Sequence, residues 1–216
     1  MNWLKRNWKW AIVNGVAVVL FSLFLGQAAL AGFSAESVRQ LIGSTGTTTM
    51  LFLLLSLAMT PLQIILGWRG GQPLKKSTGL WAFAFGMMHM LYYAIEKGTL
   101  LAIFSQFYLI VGLIPLLIML PLAVTSTNWW MRKLGKWWKP LHKTVYSAGI
   151  TAGLHVALVG NPLLAGLMVL LLAVRIPALR SWFANRLNVK RQRQSGGATR
   201  PTQRTAPRLT PKAISN

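Results

Sequence analysis

The chain has no cysteine and, among its 216 residues, only two acidic side chains, Glu36 and Glu96. The absence of cysteine excludes disulfides, thiol catalysis, cysteine-ligated zinc and iron–sulfur clusters. The scarcity of carboxylates argues against paired-carboxylate catalysis and carboxylate metal sites. Charged residues make up only 12% of the chain, whereas 54% of it is hydrophobic. This composition predicts an all-α integral membrane protein rather than a soluble domain.

The apolar residues fall into six blocks, each about as long as a bilayer is thick. Short loops rich in Gly, Pro, Asn, Ser or Thr separate the blocks. We therefore predict a bundle of about six transmembrane helices. Their predicted ranges are Trp10–Ala31, Thr47–Leu66, Gly79–Ile95, Leu100–Val124, Leu141–Gly160 and Pro162–Leu179.

The 23 lysines and arginines are distributed unevenly between the two sides of this predicted bundle. With the N-terminus inside, the outer loops hold only Arg39 and Lys97, and each is offset by one of the two glutamates. Lys and Arg concentrate in cytoplasmic loops, so an N-in, C-in topology is predicted. Because this topology accounts for the net charge of +21, no nucleic-acid partner is expected.

Three segments outside the helix cores carry further expectations. The basic start of the chain and its Ala29-Leu30-Ala31 sequence resemble a signal peptide, but the apolar stretch is long for one, which favours a retained first helix.

The tryptophans and cations of 129–139 indicate an interfacial segment, either a membrane anchor or a docking site for a cytosolic donor. Residues 1–184 are predicted to form the membrane domain, and 185–216 a disordered basic cytoplasmic tail resting on anionic lipid.

The only histidines, His89, His142 and His155, lie in or at the edge of apolar blocks. Ionisable side chains are costly in a membrane and mark functional sites there, and imidazole is a common axial ligand of haem iron. At about 1.5 Å per residue, His89 and His155 lie about 18 Å and about 21 Å from the inner ends of their helices, taken as Ser77 and Leu141. Both helices run in the same direction, so we predict that these two histidines ligate one haem.

His142 lies at the inner edge and cannot share a haem plane with His89. On an ideal helix the thirteen residues from His142 to His155 separate these side chains by about 140°. A bend at Gly149 or Gly153 would change that angle. His142 is therefore either a third haem ligand or an interfacial histidine that reaches water.

A series of short motifs resembles the MsrQ (YedZ) family. The similarity covers roughly residues 41–181 and depends on the order and spacing of its parts. These are Thr45-Gly46, Thr60-Pro61-Leu62, Gly79-Leu80-Trp81 with His89 following, Thr125-Ser126-Thr127, Arg132-Lys133-Leu134-Gly135-Lys136 before Leu141-His142, then His155 and Leu170-Leu171-Leu172-Ala173-Val174-Arg175.

The resemblance implies a ferric-reductase-like transmembrane domain that binds haem b in a bacterial cytoplasmic (inner) membrane. It implies an electron-transfer subunit that serves MsrP, a periplasmic molybdenum-cofactor enzyme that reduces methionine sulfoxide. The implied donor is the quinone pool or a cytosolic flavin reductase, and FMN is a further cofactor associated with the family. His89 and His155 match the bis-histidine ligands, and His142 matches the family's third histidine.

The inner end of the third helix departs from the related sequences. The resemblance also implies a relation to the membrane parts of NADPH oxidases, which have a second histidine fourteen residues before the outer one, where this chain has Lys75. MsrQ-like chains tend to have arginines where this chain has Lys75 and Lys76, and lysine lacks the bidentate grip of arginine. These lysines either contact a flavin phosphate, a quinone or a haem propionate, or are ordinary positive-inside charges.

Two alternatives to this function follow from the same residues. If MsrP is not its partner, the chain is a stand-alone ferric or quinone reductase with another acceptor. Without haem, it is a small transporter or membrane scaffold whose histidines serve proton transfer or packing. No glycine-rich nucleotide fold follows the helices, so nicotinamide-derived electrons are expected through another protein or quinol.

Overall fold

The structure is a computed structural model that describes residues 2–66 and 72–174. These residues form α-helices and short 3-10 helices, without a strand among them, which confirms the predicted all-α class. The α-helices are α1 (Asn2–Leu30), α2 (Ala35–Leu66), α3 (Gln72–Lys97), α4 (Phe107–Val124), α5 (Asn128–Leu134), α6 (Trp138–Lys143), α7 (Val145–Leu158) and α8 (Pro162–Ala173). The 3-10 helices are Leu100–Ser105 and Gly135–Trp137.

The length and surface of the helices are those of a membrane protein. Three stretches in the described part are long and apolar enough to cross a bilayer: Asn7–Leu30, Ala35–Leu62 and Phe107–Val124. The apolar helix α8 is shorter. Large apolar side chains such as Leu117 and Val169 are more than half exposed, as expected of lipid-facing positions. The count of six spans and the N-in, C-in orientation stay predictions.

Several helices differ in extent from the predicted spans. The helix α2 begins twelve residues before Thr47, and its polar start stays helical because the Thr45 and Thr49 hydroxyls donate to carbonyls four residues back. The predicted fourth span begins as the 3-10 helix Leu100–Ser105 before α4. The end of the predicted sixth span, the loop cation Arg69 and the predicted tail 185–216 lie outside the described residues.

The predicted fifth span is divided into α6 and α7 at Thr144. There the Thr144 backbone N–H donates to the Leu141 carbonyl three residues back, at 3.1 Å, and its hydroxyl donates to the same oxygen at 2.7 Å. The sequence places the possible bend at Gly149 or Gly153, but both glycines are buried inside an uninterrupted α7. The break therefore occurs closer to His142 than those glycines are.

Two antiparallel helix pairs form the centre of the bundle, α2 with α3 and α4 with α7. Arg39 on α2 pairs with Glu96 on α3 at 3.0 Å, while far along both helices the Ser56 hydroxyl donates to the Lys75 carbonyl at 2.9 Å. The core between the pairs is apolar and almost fully buried. Its members are Met50, Leu53, Leu54, Leu57, Ala82, Met119, Ala148, Leu164 and Met168.

The helix α1 packs against α3 through specific polar contacts. The Asn14 amide oxygen accepts hydrogen bonds from the Ser77 hydroxyl at 2.7 Å and the Trp81 indole at 2.9 Å. Tyr92 donates to the Phe24 carbonyl at 2.9 Å. The helix α1 thus satisfies polar groups of α3, and retention of this first helix stays a prediction.

Candidate functional site

His89 on α3 and His155 on α7 line one cavity of about 530 Å³, which we call the outer cavity after the predicted topology. Its volume lies within the range of about 300–1,000 Å³ that is typical of cofactor sites. The structure therefore brings together the two histidines that were paired by depth. The wall also includes Leu53, Gly86, Pro115, Leu116, Met119 and Ala152.

Each of these two imidazoles is held by a backbone carbonyl of the partner helix. His89 Nδ1 lies 2.9 Å from the Ile42 carbonyl oxygen, and His155 Nδ1 lies 2.7 Å from the Tyr108 carbonyl oxygen. A carbonyl can only accept, so both Nδ1 atoms donate and both Nε2 atoms keep a lone pair. Metal-bound histidines typically donate their other ring N–H in this way.

The residues of the outer cavity therefore fit a haem, whose iron His89 and His155 would hold through their Nε2 atoms. Elsewhere in the ranges 2–66 and 72–174, His, Cys, Asp and Glu do not gather in groups of three or more that would hold a metal ion. Haem iron needs only two protein nitrogens, because the macrocycle supplies its other ligands. Gly86 and Ala152, each one helical turn before a histidine, line the same cavity with little or no side chain.

A second cavity of about 500 Å³, the inner cavity, adjoins the outer one. Leu53 and Met119 line both cavities, so these two buried side chains separate them. The inner cavity has a cationic lining beside aromatic and apolar groups. Its lining includes Lys75, Lys76, Trp138, Lys139, His142, Lys143 and Tyr146.

His142 lies in the inner cavity, apart from the other two histidines. Its ring stacks on Trp138 with 4.0 Å between centroids, and its Nδ1 donates to the Trp138 carbonyl at 3.2 Å. Its Nε2 is buried and has no hydrogen-bond partner among the described residues. Since the chain has no further histidine, a haem bound by His142 in this cavity would lack a second imidazole.

The two candidate lysines share the inner cavity with His142. Lys75 Nζ also lies 3.5 Å from the Thr60 hydroxyl oxygen. A flavin, a quinone or a haem propionate could therefore contact these lysines inside the inner cavity. The contact itself stays a prediction.

The residues that hold the imidazoles were missed in the sequence. The acceptors are main-chain carbonyls of Ile42 and Tyr108, which no side-chain pattern indicates. The glycines Gly46 and Gly112 were the sequence feature that indicated these contacts. Each is a glycine because a Cβ at either position would lie within 3.0 Å of a histidine ring atom. Gly46 belongs to the motif Thr45-Gly46, but its spatial partner was not predicted.

Comparison with known families gives one match. A family model described as ferric reductase like transmembrane component matches residues 42–153, slightly more than half of the chain. The matched range contains His89 and His142 and ends two residues before His155. No solved structure matches the chain.

Proposed function

This chain belongs to the ferric-reductase-like transmembrane family, which indicates transmembrane electron transfer, and from this premise we propose a haem b carrier held by His89 and His155. The observation that carries the proposal is the pair of imidazoles in one cavity, each with Nδ1 bonded to a carbonyl. Bound haem supplies a one-electron redox centre. The chain supplies the ligands, their orientation and an apolar surrounding.

The protein's own residues do three things in this function. The Ile42 and Tyr108 carbonyls keep Nε2 of each histidine as the lone-pair nitrogen. Leu53 and Met119, both buried, separate the outer cavity from the cationic inner cavity. The mostly apolar wall stabilises the charged state of the centre less than water would.

The inner cavity is the proposed entry side for electrons from the quinone pool or a cytosolic flavin reductase. Its lysines, among them Lys75 and Lys76, favour an anionic group such as the phosphate of FMN, and its Trp138 and Tyr146 rings favour a flat ring system. A quinone or a haem propionate would use the same contacts. Adjacency to the outer cavity across Leu53 and Met119 supports this assignment.

The proposed acceptor is a periplasmic MsrP-type reductase, supported by the motif similarity to the MsrQ family. A stand-alone ferric reductase is the second candidate, and the description of the matching family favours it. Dithionite-reduced protein in vesicles distinguishes them by the oxidant that restores the ferric spectrum. Reoxidation by MsrP with methionine sulfoxide supports the first candidate, and reoxidation by a ferric chelate alone supports the second.

The haem assignment predicts the spectra of three histidine variants. The detergent-purified protein should show a Soret band that shifts on dithionite reduction. His89→Ala and His155→Ala should each abolish that signal, because one axial ligand is lost from the shared cavity. His142→Ala is the matched control and should retain it, since its ring lies in the inner cavity.

Two outcomes would contradict this prediction. A purified wild-type protein that takes up no haem, even when haem is supplied during expression, removes the redox proposal and leaves the transporter or scaffold alternative. A His155→Ala protein with an unchanged spectrum shows that haem binds but that the pairing of His89 with His155 is wrong.

A further inference from the structure

The two helix pairs that carry the histidines of the outer cavity are α2 with α3 and α4 with α7. They are related by a constant difference in residue number. In each pair, one helix contributes a carbonyl and a glycine four residues later, and the other contributes the histidine. Each residue of the second pair lies 66 positions after its counterpart in the first. The shift relates Ile42 to Tyr108, Gly46 to Gly112 and His89 to His155.

The same shift relates other parts of the outer cavity wall. Six further pairs of lining residues obey it, and these are Gly43 with Leu109, Thr49 with Pro115, Met50 with Leu116, Leu53 with Met119, Gly86 with Ala152 and Tyr93 with Val159. Ala82 and Ala148, also 66 positions apart, are both fully buried in the core. The outer cavity is thus formed by two equivalent helix pairs, each contributing one imidazole.

The glycine explains why the carbonyl can accept a bond from the imidazole. In an α-helix the carbonyl of residue i already accepts from the N–H of residue i+4, so a second bond must reach its other lone pair. Here residue i+4 is Gly46 or Gly112, with no side chain to cover that oxygen. A Cβ on Gly46 would lie 3.0 Å from Cε1 of His89, and one on Gly112 would lie 2.6 Å from Nδ1 of His155.

We propose that Gly46 and Gly112 are positioning residues for the haem ligands. Each glycine, with the carbonyl four residues before it, forms an imidazole seat that fixes the tautomer of one histidine and the position of its ring. The inference rests on the proposed function, because the seats act through His89 and His155 on bound haem. It adds to that function two residues that hold the ligands without touching the iron.

Among the described residues, His142 in the inner cavity has no such seat. The 66-residue shift pairs His142 with Lys76, so one of the two positions carries no imidazole. The Nδ1 of His142 donates to Trp138, four residues earlier on its own helix, rather than to a partner helix. The equivalence of the two helix pairs therefore produces a two-histidine site in the outer cavity only.

The test compares three glycine variants of the full-length haem protein by absorption and electron paramagnetic resonance. Gly112→Ala should lose most of the low-spin ferric signal, because its Cβ contact with the ring is the shortest. Gly46→Ala should shift that signal with a smaller loss, since the His89 ring needs to move only by tenths of an ångström. Gly166→Ala on α8, whose Cβ would meet nothing within 4 Å, should leave the spectrum unchanged.

A wild-type spectrum in both Gly112→Ala and Gly46→Ala would overturn the proposal. If Gly112→Ala does not fold, as judged by its melting curve, Gly46→Ala alone decides, and an unshifted signal there rejects the seats. An equal loss in Gly166→Ala would also reject them, because the effect would then not depend on the rings.

A second measurement separates failure of this inference from failure of the haem proposal. Nitrogen NMR of the haem-free protein, with ¹⁵N-labelled histidine, reports which ring nitrogen carries the proton. The seats predict protonated Nδ1 for His89 and His155 and a change at His89 in Gly46→Ala, whether or not the wild type binds haem. Protonation at Nε2 in both rings would overturn the seats and leave haem binding to be judged by its spectrum.

Discussion

At the scale of single residues, the three histidines differ in what their Nδ1 atoms contact. His89 and His155 donate to carbonyls on a neighbouring helix, which anchors each ring between two helices. His142 donates within its own helix and stacks on Trp138. Only the first arrangement holds two rings against one cavity, so identical side chains acquire different roles from their backbone partners.

The cationic lining of the inner cavity gives a prediction for Lys76. Lys76→Gln should weaken FMN binding about tenfold, the effect of losing one charge-assisted hydrogen bond worth roughly 1.5 kcal/mol. Titration of FMN fluorescence with the purified protein measures this change. Lys133→Gln is the matched control, because Lys133 is also a cation on the predicted inner side but lies over Trp129 and Trp130 and not in the cavity lining. Equal binding by both variants and the wild type would show that Lys76 does not contact FMN.

At the scale of helices, the outer end of the α2–α3 pair depends on one carboxylate. The side chain of Glu96 is only 6% exposed and contacts both Arg39 on α2 and Lys97 on α3. The hydrogen bond from Lys97 lowers the pKa of Glu96, and the bond from Arg39 lowers it further, while burial acts in the opposite direction. The ionised carboxylate thus links the two helices near the His89 seat.

Replacing this carboxylate should destabilise the protein in a pH-dependent way. Glu96→Gln should lower the melting temperature in detergent by about 2 °C at pH 7, a small effect because the two cations that pair with it, Arg39 and Lys97, are 62% and 44% exposed to solvent. Because the folded-state pKa is lowered, the stabilisation is complete above the unfolded-state pKa of about 4.3 and is lost as the pH falls through the folded-state value.

The pH series is also the control for that prediction. The difference between Glu96→Gln and the wild type should shrink as the pH falls below the unfolded-state pKa of about 4.3 and through the lowered folded-state pKa of Glu96. A difference that stays constant down to pH 3 would mean that the substitution acts through packing rather than charge.

At the scale of the whole molecule, the two ends of the helix bundle differ in the charged residues that they carry. Both acidic residues and the cations Arg39 and Lys97 lie at the predicted outer end, where they pair with each other. Lys75 and Lys76 of the inner cavity lie at the opposite end of α3 from Glu96 and Lys97. This separation is the basis of the N-in, C-in prediction.

The orientation is testable by labelling, since the chain has no cysteine of its own. Ala35→Cys, exposed at the start of α2, should react with a membrane-impermeant maleimide in spheroplasts. Lys133→Cys, exposed on α5, should react only after the membrane is permeabilised. The reverse pattern would show an N-out topology and would exchange the donor and acceptor sides proposed above.

Much of this architecture could be predicted because it depends on local sequence. Apolar block length predicts helices, and the helical rise places His89 and His155 at similar depths. The match between these depths led to the predicted pair, and the structure brings both rings to the outer cavity. The polar extension of α2 was missed, because threonine hydroxyls that bond back to the helix leave no apolar pattern.

By itself, the sequence determined the membrane class, the approximate positions of the helices and the placement of His89 and His155 on two of them, because these follow from composition and from the length of the apolar blocks. Only the tertiary structure decided that the chain breaks at Thr144, that His142 belongs to a separate cavity, and that Ile42 and Tyr108 hold the other two rings. Such contacts join residues far apart in the chain through main-chain oxygens that every residue carries. Which oxygen is uncovered depends on the helices that pack together and on the glycine that lies between them.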